Sequence, residues 1–587
     1  MNQTRSFLLI AWLVVATLLW MEWSRSQQAV PAAPATSAAT VPTATATPGP
    51  AGSAAPVPGL APAGPGVAGT PALPAAGIGP APVSGVAGGS RPITIESDSL
   101  RLVVDLEGGR IIDSQLLRYQ VEKKAGSPNV RLLSTAPERL QFAENGLIRV
   151  QPDASQQTLA PSFRVASGAD RFRLGQGAAS LTVPLLWTDP ATGLQLERRL
   201  TLHRGGYVLD VVDRIANGGA APQRLFPYAR LARVAPPAPP RHSFMTNPET
   251  FSFTGAAWYT PAENYEKTPL SDYLDDKPPP GPVTGGWIAM LQHHFASAWV
   301  PAATETQVGF DTSIEQFAGQ PLYAVRSIGP ALDVAPGQAV THQSRLWVGP
   351  KLQKPMSALS PELWRTVDYG VLTFIAQPLF WLLAFLHNLL GNWGWAIIAI
   401  VVLLKAALYP LSAKQYASMA KMRAVQPRIE ALKERYGDDK QAFQVAMMDL
   451  YKKEKINPLG GCLPMLIPIP IFLGLYWVLL ETVELRHAPW IGWIQNLTAA
   501  DPYFVLPAIN LAVMFLTQRL TPMPGVDPMQ KKIMTFMPLV FGVMMAFFPS
   551  GLVLYWVTNG LLGLLQQWWM TKRHGPRDGG KPAVVAR

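Results

Sequence analysis

The sequence WGWAIIAIVVLLKAALYPL at residues 393–411 decides the class of fold. It is apolar apart from Lys405, and a helix needs about 20 predominantly apolar residues to cross a bilayer. Further apolar runs follow at residues 460–480, 502–520, 533–548 and 551–569. Only Pro549 and Ser550 separate the last two runs, which must therefore form a tight hairpin. The pattern predicts a polytopic α-helical membrane protein with a five-span core at residues 392–570.

A weaker apolar stretch precedes this core. Residues 371–390 are interrupted by Gln377-Pro378 and by His387-Asn388. An apolar helix that carries polar residues is typical of a helix lying in the membrane interface. We therefore expect an interfacial amphipathic helix within residues 351–391.

The N-terminal region has two parts. Residues 7–21 are apolar, as in a cleavable signal peptide, but such a peptide ends in a small-residue cleavage site. Here aromatic and acidic residues end the run, which favours a retained transmembrane anchor over residues 1–23. Residues 24–91 are dominated by Ala, Pro and Gly and predict a flexible linker.

Strand-like segments dominate residues 92–350. Residues 194–202 partly alternate between apolar and polar, Gly205-Gly206 follows, and residues 207–211 are again rich in apolar side chains. A strand, a glycine turn and a second strand are typical of a β-hairpin. Similar runs separated by Pro and Gly predict a large all-β domain able to bury its own core.

The distribution of positive charge predicts the topology. The chain has a formal net charge of +11 and a mean hydropathy of +0.14. Lys and Arg are concentrated in residues 412–457 and in the tail at 571–587, whereas residues 482–501 contain only Arg486. Basic loops stay in the cytoplasm, so we expect six spans, both termini inside and the β domain outside. Trp568 and Trp569 would then lie in the inner aromatic belt.

Lys405 is the one charged residue in the run at residues 393–411. It lies twelve residues after Trp393, which is about 18 Å along a helix and past its midpoint. A charge near the centre of a span costs at least about 2.5 kcal/mol and usually faces a partner or water. Two interpretations remain open: the stem carries the ammonium to the inner headgroups, or the ammonium faces a water-filled cavity.

The basic segment at residues 412–457 predicts two helices. Residues 419–432 form the first, Gly437-Asp438-Asp439 supplies a turn whose aspartate can cap the next helix, and residues 440–455 follow. The resulting antiparallel hairpin is either a solvated connector or a surface for a protein partner. Its candidate residues are Lys421, Arg423, Arg428, Asp438 and Asp439.

Polar residues inside the later spans are candidates for a wet cavity shared with Lys405, although each could be a simple contact between helices. They are Asn510, Gln518, Thr558 and Asn559. The motifs HExxH, GxSxG, Walker A and CxxC do not occur. The single cysteine, Cys462, excludes a disulfide framework and a Cys-rich metal site. We therefore expect no catalytic residue, no metal and no cofactor, and a protein that is not an enzyme.

Several ordered motifs resemble those of the YidC/Oxa/Alb family of membrane insertases, in its Gram-negative type. In the core they are NWG (392–394), YPL (409–411), SMAKMR (418–423), NPLGGC (457–462), DPMQ (527–530) and PSGLVLYW (549–556). In the β domain they are GGWIAMLQ (285–292) and LWVGP (346–350), which resemble a periplasmic β-supersandwich. The resemblance implies a multi-pass protein of the bacterial inner membrane with its large domain in the periplasm.

The resemblance also implies a function and its residues. In that family a hydrophilic groove, open to the cytoplasm and to lipid, carries a positive charge that attracts a client's acidic tail. The matching residue is Lys405, and Tyr555 and Trp556 match aromatic residues that contact the client. The family often has arginine at the first position, and lysine lacks the bidentate guanidinium. Val401 and Pro468 stand where some relatives carry threonine and glutamine, which predicts a less polar groove.

The implied activity is that of a membrane protein insertase and chaperone, working alone or with the Sec translocon. The implied partners are nascent inner-membrane proteins as clients, membrane lipid and, through the cytoplasmic loops and tail, the ribosome and the signal recognition particle pathway. No sequence-specific nucleic-acid contact is expected. A secondary transporter or channel for a small solute is the alternative; it should show inverted repeats or paired broken helices, and the sequence has no clear repeat. A structural factor that serves the outer envelope through the β domain is a third hypothesis.

Overall fold

The computed structural model describes residues 91–237, 253–275, 277–279, 281–303, 306–437, 439–454, 468–520 and 528–574. The predicted anchor at residues 1–23, nearly all of the predicted linker at 24–91, and residues 575–587 of the predicted tail lie outside these ranges. The described residues form a β domain followed by a helical region.

The strands of the β domain are numbered in chain order. They are β1 Pro92–Glu96, β2 Leu100–Asp105, β3 Arg110–Gln120, β4 Asn129–Arg131, β5 Gln141–Val150, β6 Gln156–Thr158, β7 Arg164–Val165, β8 Arg171–Arg173, β9 Ser180–Thr188, β10 Leu194–His203, β11 Val208–Asn217, β12 Gln223–Val234, β13 Gly255–Thr260, β14 Asn264–Pro269, β15 Pro282–Thr284, β16 Trp287–Leu291, β17 Phe295–Pro301, β18 Gln307–Phe317, β19 Gln320–Ile328, β20 Leu332–Val334 and β21 Ala339–Pro350.

These strands form two sheets. The first has the order β15-β18-β19-β12-β5-β3-β2-β1-β8, with β20, β4 and β6 paired at its side, and the second has the order β14-β13-β16-β17-β21-β11-β10-β9-β7. One cluster of buried side chains draws on both sheets, from Leu102 of β2 to Leu200 of β10. Two sheets that share one core form a sandwich. The predicted large β domain is thereby confirmed.

β10 and β11 form the hairpin that the sequence predicts. Leu202 pairs with Leu209, and Leu194 pairs with Asn217 at the far end. Leu194, Leu196, Leu200 and Leu202 are all buried, because alternate residues of a strand point to the same face. In the turn, Gly205 has a φ of 71°, a conformation that glycine adopts without strain.

The helical region follows β21. Its helices are α1 Gln353–Leu359, α2 Thr373–Leu390, α3 Trp393–Ala407, α4 Tyr409–Tyr436, α5 Lys440–Lys453, α6 Pro468–Glu481, α7 Val505–Leu520, α8 Pro528–Met545 and α9 Ser550–His574. Short 3₁₀ helices occur at Pro137–Arg139, Leu270–Asp272, Leu363–Thr366, Gly370–Leu372 and Val483–Leu485. α3 packs against α2 and α9, α9 also packs against α7, and α8 packs against α7.

The break between α3 and α4 corrects two predicted boundaries. α3 ends at Ala407 instead of reaching residue 411, and α4 starts at Tyr409 instead of residue 419. Pro410 lies in the first turn of α4. It has no N–H to continue the hydrogen bonds of α3, but it is well suited to begin a new helix. Lys405 therefore lies in the last turn of α3.

α2 lies within the region predicted to hold the amphipathic helix, but its exposed side carries large aromatic residues. Phe374, Trp381 and Phe385 are exposed there. Gln377 instead donates a hydrogen bond to Gln353, and His387 stacks on the Trp393 ring. Among the described residues, Gly370–Leu390 is the one helical stretch that could cross a membrane by length and composition alone. Shorter apolar helices are Trp393–Ala407, Ile469–Glu481, Val505–Arg519 and Thr535–Met545.

Candidate functional site

Lys405 is half-buried between two helices of the core. Its ammonium points from α3 to Gly563 of α9, where a Cβ added to the glycine would lie 3.6 Å from Lys405 Nζ. One turn earlier on α3, Val401 is buried, as is Ile400. The charge is therefore held at the contact between α3 and α9, at the end of α3 that leads into the basic helix α4.

The predicted polar residues lie on α9, which contacts the Lys405 ammonium, and on α7, which packs against α9. Asn510 of α7 is only 1% exposed, and its Nδ2 lies 3.6 Å from the Met514 sulfur. Thr558 of α9 donates a hydrogen bond of 2.8 Å to the Leu554 carbonyl of its own helix. Gln518 and Asn559 are half-buried. Asn510 and Thr558 thus make contacts within their own helices, and joint lining of a cavity with Lys405 stays a prediction.

Tyr555 and Trp556 belong to an aromatic cluster. The ring of Phe472 on α6 lies 5.6 Å from the Tyr555 ring and 4.6 Å from the Trp556 ring, centroid to centroid. Phe541 on α8 lies 6.4 Å from Trp556. Tyr555 is only 7% exposed. A client that contacts Tyr555 must therefore displace part of this cluster, which links α6, α8 and α9.

The loop at residues 482–504, here called the outer loop, ties the ends of two helices together. The Asn392 side chain donates hydrogen bonds to the Pro489 and Trp490 carbonyls at the start of α3. At the start of α9, the backbone N–H groups of Ser550 and Gly551 donate to Ala499 and Leu497 at 2.7 and 2.8 Å. These hydrogen bonds hold the outer loop against the starts of α3 and α9, at the end of α3 opposite Lys405.

Packing of this outer loop depends on Gly394, to which the sequence analysis gives no structural role beyond its place in the NWG motif. A Cβ at Gly394 would lie 2.1 Å from Cδ1 of Trp490, so any side chain there would displace the indole. A glycine inside an apolar span was the available signal, since such a residue often marks a close approach. The partner, Trp490, is nearly a hundred residues away, and no local pattern identifies it.

The predicted cytoplasmic hairpin has its own small core. Val425 and Ile429 of α4 pack against Phe443, Leu450 and Tyr451. Arg428 pairs with Glu454 across the two helices. Asp439 caps α5 as expected, because its Oδ1 accepts hydrogen bonds from the N–H groups of Gln441 and Ala442 at 3.1 and 3.0 Å. Asp438 and the side chains of Lys421 and Arg423 lie outside the described part of the chain.

Two histidines of the turn between β16 and β17 contact the outer end of α6. The Nε2 atoms of His293 and His294 each lie 3.1 Å from the Leu480 carbonyl oxygen, and the stacked rings are 3.7 Å apart. Since a carbonyl oxygen only accepts, both Nε2 atoms carry the proton. Burial, aided by the charge of Lys351, lowers the pKa of His293 to about 3. Burial also lowers the pKa of His294 well below its usual range, so both rings are neutral near pH 7.

Acidification is expected to loosen this contact. The buried, neutral rings stabilise the contact between the β domain and α6. This contribution is complete above pH 6.5, the ordinary pKa of histidine, and is lost as the pH falls toward 3. For His293 at pH 5 the loss is about 2 kcal/mol. Hydrogen exchange of the amides at residues 478–486, corrected for intrinsic rates, should therefore accelerate between pH 7 and pH 5.

The matched control is the double variant His293→Phe/His294→Phe, which keeps two stacked rings and loses both donors. The other charges that face the pair are Glu481, 3.9 Å from His293 Nε2, with Lys351 and Arg486. Burial raises the pKa of Glu484 to about 7 and gives it a dependence of opposite sign. The difference between wild type and double variant isolates the histidines. Identical pH profiles would contradict the assignment.

Fold and site together define a polytopic membrane protein with a large β domain outside the membrane and a charged, partly buried site inside it. Two family models match the chain: the YidC periplasmic domain over residues 92–382 and the 60Kd inner membrane protein over residues 385–577. The chain belongs to the YidC family of membrane protein insertases. It is a protein of the inner membrane with a periplasmic β domain, and insertion is its activity, which is not an enzymatic reaction.

Similar curated proteins cover almost the whole chain. A membrane protein insertase YidC of Stenotrophomonas maltophilia (strain R551-3) is 51% identical over 98% of this chain and 97% of its own length. One from Xanthomonas euvesicatoria pv. vesicatoria (strain 85-10) is 48% identical over 98% of each. Among solved structures, an active YidC insertase crystal structure with the first transmembrane domain resolved is 18% identical with a TM-score of 0.37, over 82% of this chain and 93% of that one.

Proposed function

We propose that this insertase works by electrostatic capture followed by lipid partitioning. The observation that carries the proposal is the half-buried ammonium of Lys405 between α3 and α9, at the end of α3 opposite the hydrogen-bonded outer loop. A short acidic tail of a client enters from the cytoplasmic side and meets this charge. The client's apolar segment then moves into lipid, and burial of about 25 cal/mol per Å² of apolar surface supplies the driving force without a nucleotide.

Short helices support the same proposal. α3 has 15 residues and a length of about 22 Å, against about 30 Å for the hydrocarbon core of a bilayer. A short span thins the surrounding bilayer. The polar tail of a client then has less apolar thickness to cross.

The proposed topology has both termini and the α4–α5 hairpin in the cytoplasm. α3 leads into the basic α4, and basic segments stay inside. The periplasmic β domain precedes α2. If α2 crossed the membrane, α3 would return to the periplasm and carry the basic hairpin with it. α2 therefore begins and ends on the outer side, with its exposed aromatic residues in lipid at the interface.

Besides the clients, we propose partners in the cytoplasm and a partner within the bilayer. The hairpin, with Val445 and Met448 exposed beside charged residues, and the basic tail face the ribosome and the signal recognition particle pathway. The Sec translocon is the proposed partner within the bilayer. Tyr555 and Trp556 contact the client once the client displaces the Phe472 ring of α6 from them.

The test is reconstitution of the purified protein into liposomes that contain no other protein. A single-span client with a short acidic tail should become protected from external protease at its translocated end, and empty liposomes should give no protection. A small-solute flux assay on the same vesicles tests the transporter alternative. Solute flux without client protection would reject the proposed mechanism.

A further inference from the structure

Beyond its first turn, α9 contains two glycines, Gly560 and Gly563, and they meet different neighbours. A glycine inside a helix costs about 1 kcal/mol relative to alanine, so each one calls for an explanation. A Cβ at Gly560 would lie 2.5 Å from Cγ1 of Val513, which shows that this glycine allows α9 to approach α7. Among the described residues, no backbone or apolar side chain of another helix lies within 4 Å of a Cβ placed at Gly563.

The Lys405 ammonium lies next to Gly563. In the described part of the chain, and apart from the backbone of α9 itself, Lys405 Nζ is the atom found within 4 Å of a Cβ at Gly563. The distance of 3.6 Å is an ordinary contact, so alanine would fit. A longer side chain would extend into the space that the ammonium occupies.

The depth of this contact argues against a lysine that reaches for the headgroups. Gly563 lies five residues before Trp568, or about 8 Å along the helix. Trp568 and Trp569 are exposed and suited to the interface, where aromatic residues form a belt. A snorkelling lysine extends toward the belt. Lys405 Nζ instead lies beside Gly563, about 8 Å along α9 from the predicted belt.

We propose that Gly563, which has no side chain, leaves the space that the Lys405 ammonium occupies. The residue at position 563 then sets the charge that an acidic client tail meets. This inference rests on the proposed role of Lys405 and adds a positioning residue on a different helix. What matters in this view is a positive charge at one place between α3 and α9, whichever helix supplies it.

The inference is tested in the same liposomes with one acidic-tail client and one neutral-tail client. Gly563→Ala should behave as wild type, since alanine fits. Gly563→Asp places a carboxylate beside the ammonium, and Gly563→Asn is its uncharged match with a similar helix propensity. We expect Gly563→Asp to lower acidic-tail insertion about tenfold relative to Gly563→Asn and to leave the neutral tail nearly unchanged.

A second experiment moves the positive charge from α3 to α9 and tests the inference more directly. The double variant Lys405→Ala/Gly563→Lys supplies an ammonium to the same space from α9, and it should recover most of the acidic-tail insertion that Lys405→Ala loses. Leu561→Asp controls for an added charge on α9, because residues two apart point to different sides of a helix and Leu561 is exposed.

The outcomes separate the two claims. Equal acidic-tail insertion by Gly563→Asp and Gly563→Asn, while Lys405→Ala fails, would overturn the role of Gly563 and leave that of Lys405 standing. Full acidic-tail insertion by Lys405→Ala would overturn the proposed function instead. Equal membrane levels of all variants, and normal insertion of the neutral-tail client, show that folding is not the cause of a loss.

Discussion

A chain that lacks residues 419–453 is expected to lose insertion while remaining in the membrane at normal levels. The deletion removes most of α4 and all of α5, which form a two-helix hairpin with its own core. Residues 409–418, the part of α4 that follows α3, are retained. The hairpin is too long for a mere connector, since helix–helix connections are usually 2–8 residues. Its loss should remove the surface that receives clients.

The measurement is protease protection of a client tail, with membrane levels of the variant as the control for folding. A finer pair of variants checks the interpretation. Ile429→Asp places a charge in the hairpin core, where this residue is 1% exposed, and should reproduce much of the defect. Ala431→Asp, on the exposed side of the same helix, should not. Normal insertion by the deletion variant would contradict the role given to the hairpin.

The elements that sequence reasoning predicted well are those with a strong local pattern. The β10–β11 hairpin follows from alternation and Gly205-Gly206, and the polytopic fold follows from the apolar runs. The start of α4 was missed because helical residues continue without a break from Tyr409 into the basic segment. Polarity changes at the start of this segment, but the helical backbone does not end there.

Contacts between distant segments were beyond such reasoning. The outer loop joins Asn392, Trp490 and Ser550, which lie far apart in the sequence. The burial of Tyr555 depends on Phe472 of another helix. Glycines at 394 and 563 were the available signals, but a glycine alone does not say which residue approaches it.

The substitution series at Lys405 is expected to follow charge and not shape. Lys405→Arg should insert clients as wild type, Lys405→Ala should fail for clients with acidic tails, and Lys405→Glu should be worst. Two opposite charges about 4 Å apart at an effective dielectric of about 20 attract by about 4 kcal/mol before desolvation. If a third of this survives, its loss lowers insertion of acidic tails about tenfold. Charge reversal adds repulsion to that loss.

Clients that depend little on the charge of Lys405 are the control for this series of variants. A client with a neutral tail makes little use of the charge, and a client delivered through the Sec translocon is inserted with help from another protein. Both should suffer less from Lys405→Ala than an acidic-tail client. If Lys405 only carried its charge to the headgroups, Lys405→Ala should be mild for every client.

The most direct measurement is protease protection of a client's translocated tail in protein-free liposomes that carry wild type or Lys405→Glu, with acidic and neutral tails compared side by side. We expect Lys405→Glu to fail to insert the client with the acidic tail and to insert the client with the neutral tail nearly as well as wild type. Equal insertion by Lys405→Glu and wild type for both tails would contradict it.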